Sequence, residues 1–214
     1  MKKSVLFITI FFALLMFTLQ AEANVDIQLK YKSNYLMPAY VNFKMQDNQY
    51  IINAKINIPL YKIRFQSSGE KQSDQFLMKN YQDLRNGKLY AKAEIRGNKI
   101  EYGKVKSGVK LEKSDLPVFD LFSIAFQLSY FDKLPQNFQI TNGKKLYLMK
   151  NVRLQKTQKT ITENNRTFAE ISYQFHMGEK SFVVKKYAGE RFPRFISYDK
   201  DGDYYQLQFS EFVR

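Results

Sequence analysis

Few side chains in this sequence could do chemistry, and the scarcest types limit it most. His176 is the only histidine, and there is no cysteine. A zinc site or a His-based catalytic group would have to use that one residue, whereas zinc takes several His or Cys ligands. Structural zinc is thereby excluded. His176 alternates with Gln174 and Ser172, so it reads as an exposed histidine on the polar face of a strand. Asp199, Asp201 and Asp203 are spaced like calcium ligands. An EF-hand loop counted from Asp199 requires Gly at the sixth position and Glu at the twelfth, where this chain has Tyr204 and Ser210. An acidic hairpin turn on Asp201-Gly202 accounts for the same residues. No Gly-rich phosphate loop, GxSxG elbow or HExxH pair occurs. Asp120 is the one carboxylate in an apolar, helix-like segment. Burial there would raise its pKa, but a place on the helix's wet stripe, or near its N-terminus where the dipole favours an anion, explains it more simply. The pattern therefore assigns no catalytic, cofactor-binding or metal-binding residue.

The elements that must carry these side chains are mostly strands. Val25, Ile27, Leu29 and Tyr31 alternate with Asp26, Gln28 and Lys30, the two-residue period of a strand with one dry face. Similar alternation runs through Val41–Met45, Tyr50–Ile58, Tyr61–Phe65, Leu89–Ile95 and Ala169–Met177, and through Arg194–Tyr198 and Tyr205–Phe209 near the C-terminus. Gly97-Asn98, Asn142-Gly143 and Asn164-Asn165 supply hairpin turns. Leu146, Leu148, Val152 and Leu154 continue in one phase after the second of these. One segment departs from the period. In residues 116–131 the polar side chains Asp120, Ser123 and Gln127 fall on one helical stripe and the rest are apolar. Ser114 or Asp115 can cap its start, with Pro117 in the first turn. A helix this apolar must be buried, and a sheet is the only surface available. The expected fold is mainly β: a long, curved antiparallel sheet or open β-barrel with one buried apolar helix over about 116–131.

The N-terminus reads as an export signal. Lys2 and Lys3 precede an apolar run from Val5 to Leu19, and Ala21 and Ala23 form a small-x-small site that puts cleavage between Ala23 and Asn24. Residues 1–23 are then a cleavable signal peptide and 24–214 a single exported domain. Removing Lys2, Lys3 and Glu22 from the 34 basic and 20 acidic residues leaves 32 and 19, a net +13. For an exported chain, nucleic acid is excluded as a natural partner. The available anions are lipid headgroups, lipopolysaccharide phosphates and cell-wall polymers. No transmembrane span is expected after Asn24.

The runs IRFQSSGEKQ, KNYQDLRNGKLYAKAEI, DLFSIAFQLSYF, FQITNGKKLYLMKNVRL and ERFPRFISYDKDG occur in this order. In layout the chain resembles a family of Gram-negative periplasmic proteins known only as domain of unknown function three-one-zero-eight. The shared features are a strand end at Ser68-Gly69, the apolar helix from Asp120 to Phe131, the Asn142-Gly143-Lys144 hairpin and the Arg-x-Pro at Arg191 to Pro193. The resemblance implies a periplasmic β-rich domain and carries no reaction. With the charge, the aromatic content and the apolar helix, it leads to the expectation of an envelope protein that binds an amphipathic or anionic lipid-like ligand. The alternative is an adaptor that binds another envelope protein, and a carboxylate-based hydrolase ranks third.

Overall fold

The computed structural model describes residues 24–34, 37–177, 180–200 and 203–213. The expected signal peptide and its cleavage at Ala23 lie outside these residues, as does the expected turn on Asp201-Gly202.

Thirteen antiparallel strands form one sheet that does not close. Eight run consecutively: β1 (Val25–Ser33), β2 (Ala39–Gln46), β3 (Gln49–Ile58), β4 (Tyr61–Gln72), β5 (Gln75–Arg85), β6 (Lys88–Arg96), β7 (Lys99–Lys104) and β8 (Gly108–Lys113). The other five are β12 (Gln155–Glu163), β13 (Arg166–Met177), β14 (Lys180–Tyr187), β15 (Phe195–Lys200) and β16 (Asp203–Phe212). Strand β16 pairs with β1 and joins the two runs, which leaves β8 and β12 as the edges. Between the runs lie β9 (Val118–Phe119), helix α1 (Leu121–Phe131), β10 (Phe138–Thr141) and β11 (Leu146–Met149). Strands β9 to β11 form a second small sheet.

The sheet must curl around α1. The helix packs against both β5 and β14, which stand seven places apart in the strand order. At about 4.8 Å per strand that is roughly 34 Å on a flat sheet, three times the width of a helix. Inward residues from both halves, among them Phe43, Ile52 and Phe76 on one side and Phe175, Phe182 and Val184 on the other, join one core around Phe126 and Leu128 of the helix. Phe126 stacks on Phe43 at 4.5 Å between ring centres.

The expected helix is present but begins at Leu121. Asp120 is its N-cap: its carboxylate accepts from the backbone N–H groups of Phe122 and Ser123, and the Ser123 hydroxyl accepts from the Asp120 N–H. This reciprocal capping box fixes the start, so neither Ser114 nor Asp115 caps it. Pro117 precedes β9, whose Val118 and Phe119 pair in parallel with Gln139 and Ile140. Nor is there a wet stripe. Ser123 and Gln127 are fully buried, and Gln127 accepts from the Phe76 N–H at 2.8 Å while donating to the Asp74 and Lys133 carbonyls. Asp120 and Ser123 are thus used in closing the helix start, and Gln127 in fastening the helix to the chain around it.

Ser68-Gly69 lies inside β4 and not at its end. The pairing with β5 slips here, with Ser68 opposite Asn80 and Gly69 opposite Met78. Lys79 is the extra residue of a β-bulge. A Cβ on Gly69 would stand 2.0 Å from the Leu77 carbonyl oxygen, so only glycine fits. The bulge reverses the inward phase of β5, from Phe76 and Met78 to Tyr81 and Asp83.

Because the hairpins alternate, the connections β1–β2, β3–β4, β5–β6, β7–β8, β13–β14 and β15–β16 all fall at one end of the sheet. The helix N-terminus faces this end. The opposite end is filled: Phe192, Phe209 and Phe212 pack edge to ring, and the Tyr31 hydroxyl donates to the Pro193 carbonyl within the Arg191–Pro193 motif at 2.7 Å.

Candidate ligand-binding cleft

The cleft is built where the bulge of β5, the start of α1 and the β10–β11 hairpin meet. The bulge turns Tyr81 and Asp83 inward, and Arg85 follows on the same face. Asp83 is buried and holds Arg85 by two contacts, Nε–Oδ1 at 2.6 Å and Nη2–Oδ2 at 2.9 Å. Burial alone would weaken the guanidinium's hold on its proton, but the hydrogen bond and charge of Asp83 outweigh it and raise the Arg85 pKa. The Arg85 guanidinium also lies 5.4 Å from the ring centre of Phe65 and 5.8 Å from that of Tyr90. The β10–β11 hairpin is held in place by Gly143. Its φ of 76° favours glycine, an added Cβ would lie 2.9 Å from the Tyr81 ring, and its carbonyl accepts from the Gly103 N–H.

Three neighbouring spaces that share lining residues result. A cavity of about 230 Å³ lies at the helix start, bounded by Tyr81, Asp83, Arg85, Asp120, Phe122 and Lys144. A larger one of about 530 Å³ shares Phe65, Arg85, Leu121, Phe122 and Tyr198 with it and continues over Ile56, Ile63, Ile196 and Leu207 to the hairpin end of the sheet. On the other side, sharing Asn142, Lys144 and Tyr147, is a groove of about 440 Å³ that carries Lys104, Lys110, Lys144 and Lys145 and no carboxylate. None of these four lysines makes an ion pair among the described residues. Lys104 and Lys144 both lie within 6 Å of the Tyr90 ring centre, at 5.7 and 5.9 Å.

Asp120 borders the smaller cavity, and burial raises its pKa against the opposing pull of the Ser123 and Ser67 hydroxyls and two backbone amides. The Tyr50 hydroxyl, fully buried nearby, has no hydrogen-bond partner among the described residues, and burial and then the Asp120 charge push its pKa upward. Two carboxylates therefore border one cavity, but Asp83 is held by Arg85 and Asp120 by the first turn of α1.

The other residues singled out in the sequence lie elsewhere. His176 is exposed on β13, 3.5 Å from the Gln174 amide. Among the tyrosines, Tyr90 stands between the cleft and the lysine groove, within 6 Å of Arg85, Lys104 and Lys144. Tyr187 is packed between Phe168 and Arg194 and donates to Glu163, with burial the main cause of a pKa pushed up to about 12. Tyr204 is exposed at the hairpin end. Among the described residues no three His, Cys, Asp or Glu side chains gather as metal ligands, and no helix is long and apolar enough to cross a membrane. Asp83 and Arg85 were not found by sequence reasoning, because the bulge breaks the alternation that would have marked β5. Compared with protein-family models, curated proteins and solved structures, the chain matches none.

Proposed function

We propose that this chain is an exported periplasmic binding protein that holds an amphipathic, anionic lipid-like molecule, with its apolar part in the cleft and its anionic group on the lysine groove. The observation that carries this reading is the nearness of two unlike surfaces: an apolar cavity of about 530 Å³ and a groove with four lysines and no acid, each sharing lining residues with the smaller cavity. Ligand sites are mostly apolar with a few placed polar groups, and lysine is a compact point charge suited to phosphate or carboxylate. A hydrolase is disfavoured because both bordering carboxylates already have structural partners. An adaptor could add a strand at an open edge, but β12 carries Lys156 and Lys159 and β8 carries Lys110 and Lys113, the charges that discourage edge pairing.

The test is titration with a fluorescent fatty acid and with its neutral methyl ester. The expected result is saturable binding of both. Ile63→Glu should abolish it, and joint replacement of Lys104, Lys144 and Lys145 by Glu should weaken the acid but not the ester. Absence of saturable uptake by the folded wild-type chain sinks the reading.

A further inference from the structure

The hairpin end carries a second pattern that the cleft does not use. Thirteen large apolar side chains are exposed among the described residues, and nine of them stand at this end. The densest group is Ile58, Leu60 and Tyr61 on the β3–β4 tip, with Tyr204 and Tyr205 on β16 and Tyr90 at the start of β6. Ile58 and Tyr205 also line the larger cavity. Leu60 is fully exposed and has a φ of 63°. With Pro59 before it, this is the signature of a type II turn, in which the second central position favours Gly. Among the described residues nine non-glycine positions have positive φ, and seven of these are Asn or Asp, which tolerate it. A leucine held in that conformation in full contact with water contributes nothing to the fold.

The charges around these tips are positive. Lys62, Lys88, Lys104 and Lys106 are exposed on the β3–β4, β5–β6 and β7–β8 tips, and none makes an ion pair among the described residues. The tips are also tied to one another. The Lys62 N–H donates to the Asn86 side chain and the Asn86 N–H to the Lys62 carbonyl, while Asn34 of the β1–β2 connection bonds Gln206 on β16. The result is a row of separate apolar points, braced in two places, with lysines between them.

We infer that this rim docks on the surface of an anionic lipid bilayer, with Leu60 and its neighbours entering the interface and the lysines meeting the headgroups. Apolar and aromatic side chains that insert among basic ones are the pattern of interfacial membrane binding. A protein partner would be better served by one continuous apolar patch. The inference does not require the cleft to hold a ligand.

The test is co-sedimentation of the chain from Asn24 onward, which contains every element described above, with vesicles of phosphatidylglycerol in phosphatidylcholine and of phosphatidylcholine alone. Binding is expected to the anionic vesicles, to weaken with salt, and to fall about tenfold in Leu60→Gly. That variant suits the turn and should not lower the unfolding temperature. Leu148→Gly, which removes an exposed apolar side chain away from the rim, should bind like the wild type. No vesicle binding, equal binding to both vesicle types, or undiminished binding by Leu60→Gly overturns the inference. Capture of the rim by an envelope protein without vesicle binding overturns it as well. Leu60 borders neither cavity, so Leu60→Gly should still take up the soluble fatty-acid probe. A wild-type chain that takes up the probe but binds no vesicles breaks the docking inference alone, and one that binds anionic vesicles but takes up no probe breaks the cleft reading alone.

Discussion

The two ends of α1 solve different problems. At the C-terminus, Asp132 takes the left-handed conformation that ends the helix. The buried Lys186 donates to the Ser129 carbonyl at 2.7 Å and pairs with Asp132 at 2.7 Å, and the Tyr173 hydroxyl donates to the same carboxylate. A cation at this end also opposes the helix dipole. Beyond it, Glu190 and Arg194 pair by two contacts of 2.7 and 2.6 Å, and aromatic rings fill the space. At the N-terminus the same sheet leaves cavities and, among the described residues, a tyrosine hydroxyl without a hydrogen-bond partner and a groove of lysines without ion pairs. Stability is concentrated at one end, and space and uncompensated charge at the other. That asymmetry distinguishes a scaffold that carries a site from one that only folds.

The largest effect on this contrast is expected from Gly69→Ala. A Cβ there meets backbone that cannot give, so the bulge must shift, at about 3 kcal/mol of stability. Because the bulge aims Tyr81, Asp83 and Arg85 into the cleft, ligand uptake should fall with it. Denaturant unfolding and probe titration read the two losses together. Next is Lys186→Met, which strips Asp132 and the Ser129 carbonyl of their partner and should cost about 2–3 kcal/mol, with uptake unchanged in the folded fraction. If it weakens uptake, the two ends are not separable as described.

Asp120→Ala should lose the helix cap and about 1 kcal/mol, while Asp120→Asn, which can still cap, should stay near the wild type. The helix ends should also respond to pH with opposite signs. Burial raises Asp120 above its ordinary 3.8, so the folded chain holds its proton more tightly. Its contribution is greatest at low pH and is lost as pH rises through the raised value. Burial acts the same way on Asp132, but Lys186 and Tyr173 outweigh it and hold that carboxyl below 3.8. Its contribution is present above 3.8 and is lost as pH falls through the lowered value. Stability–pH curves of Asp120→Asn and Lys186→Met should depart from the wild type in opposite directions. The smallest effect on stability is expected from Lys144→Ala with Lys145→Ala, within about 0.5 kcal/mol. The same pair should lower affinity for an anionic probe.

Strands buried on one face were legible in the sequence because burial imposes the two-residue period. Residues Val25–Tyr31 and Tyr50–Ala54 show it plainly. The edge strands β8 and β12 were not legible. Their side chains are almost all exposed, so no face had to be apolar. Strand β5 was hidden for the opposite reason, since it is well buried but its phase reverses at Lys79. The helix was visible from its composition, but its polar stripe was misread as wet, because a glutamine that meets three backbone groups has the same spacing as one that meets water. Asp120 was noticed as a lone carboxylate. That Asp120 borders the same cavity as Arg85 and Lys144 is set only by the folded sheet.

The most direct test of the account is mass spectrometry of lipids carried by the chain purified without detergent from the cells that make it. An anionic amphiphile in near-equal amount to the protein is predicted, and it should be absent from Ile63→Glu prepared alongside. A well-folded wild-type chain that comes out empty and stays empty after incubation with envelope lipids would contradict it.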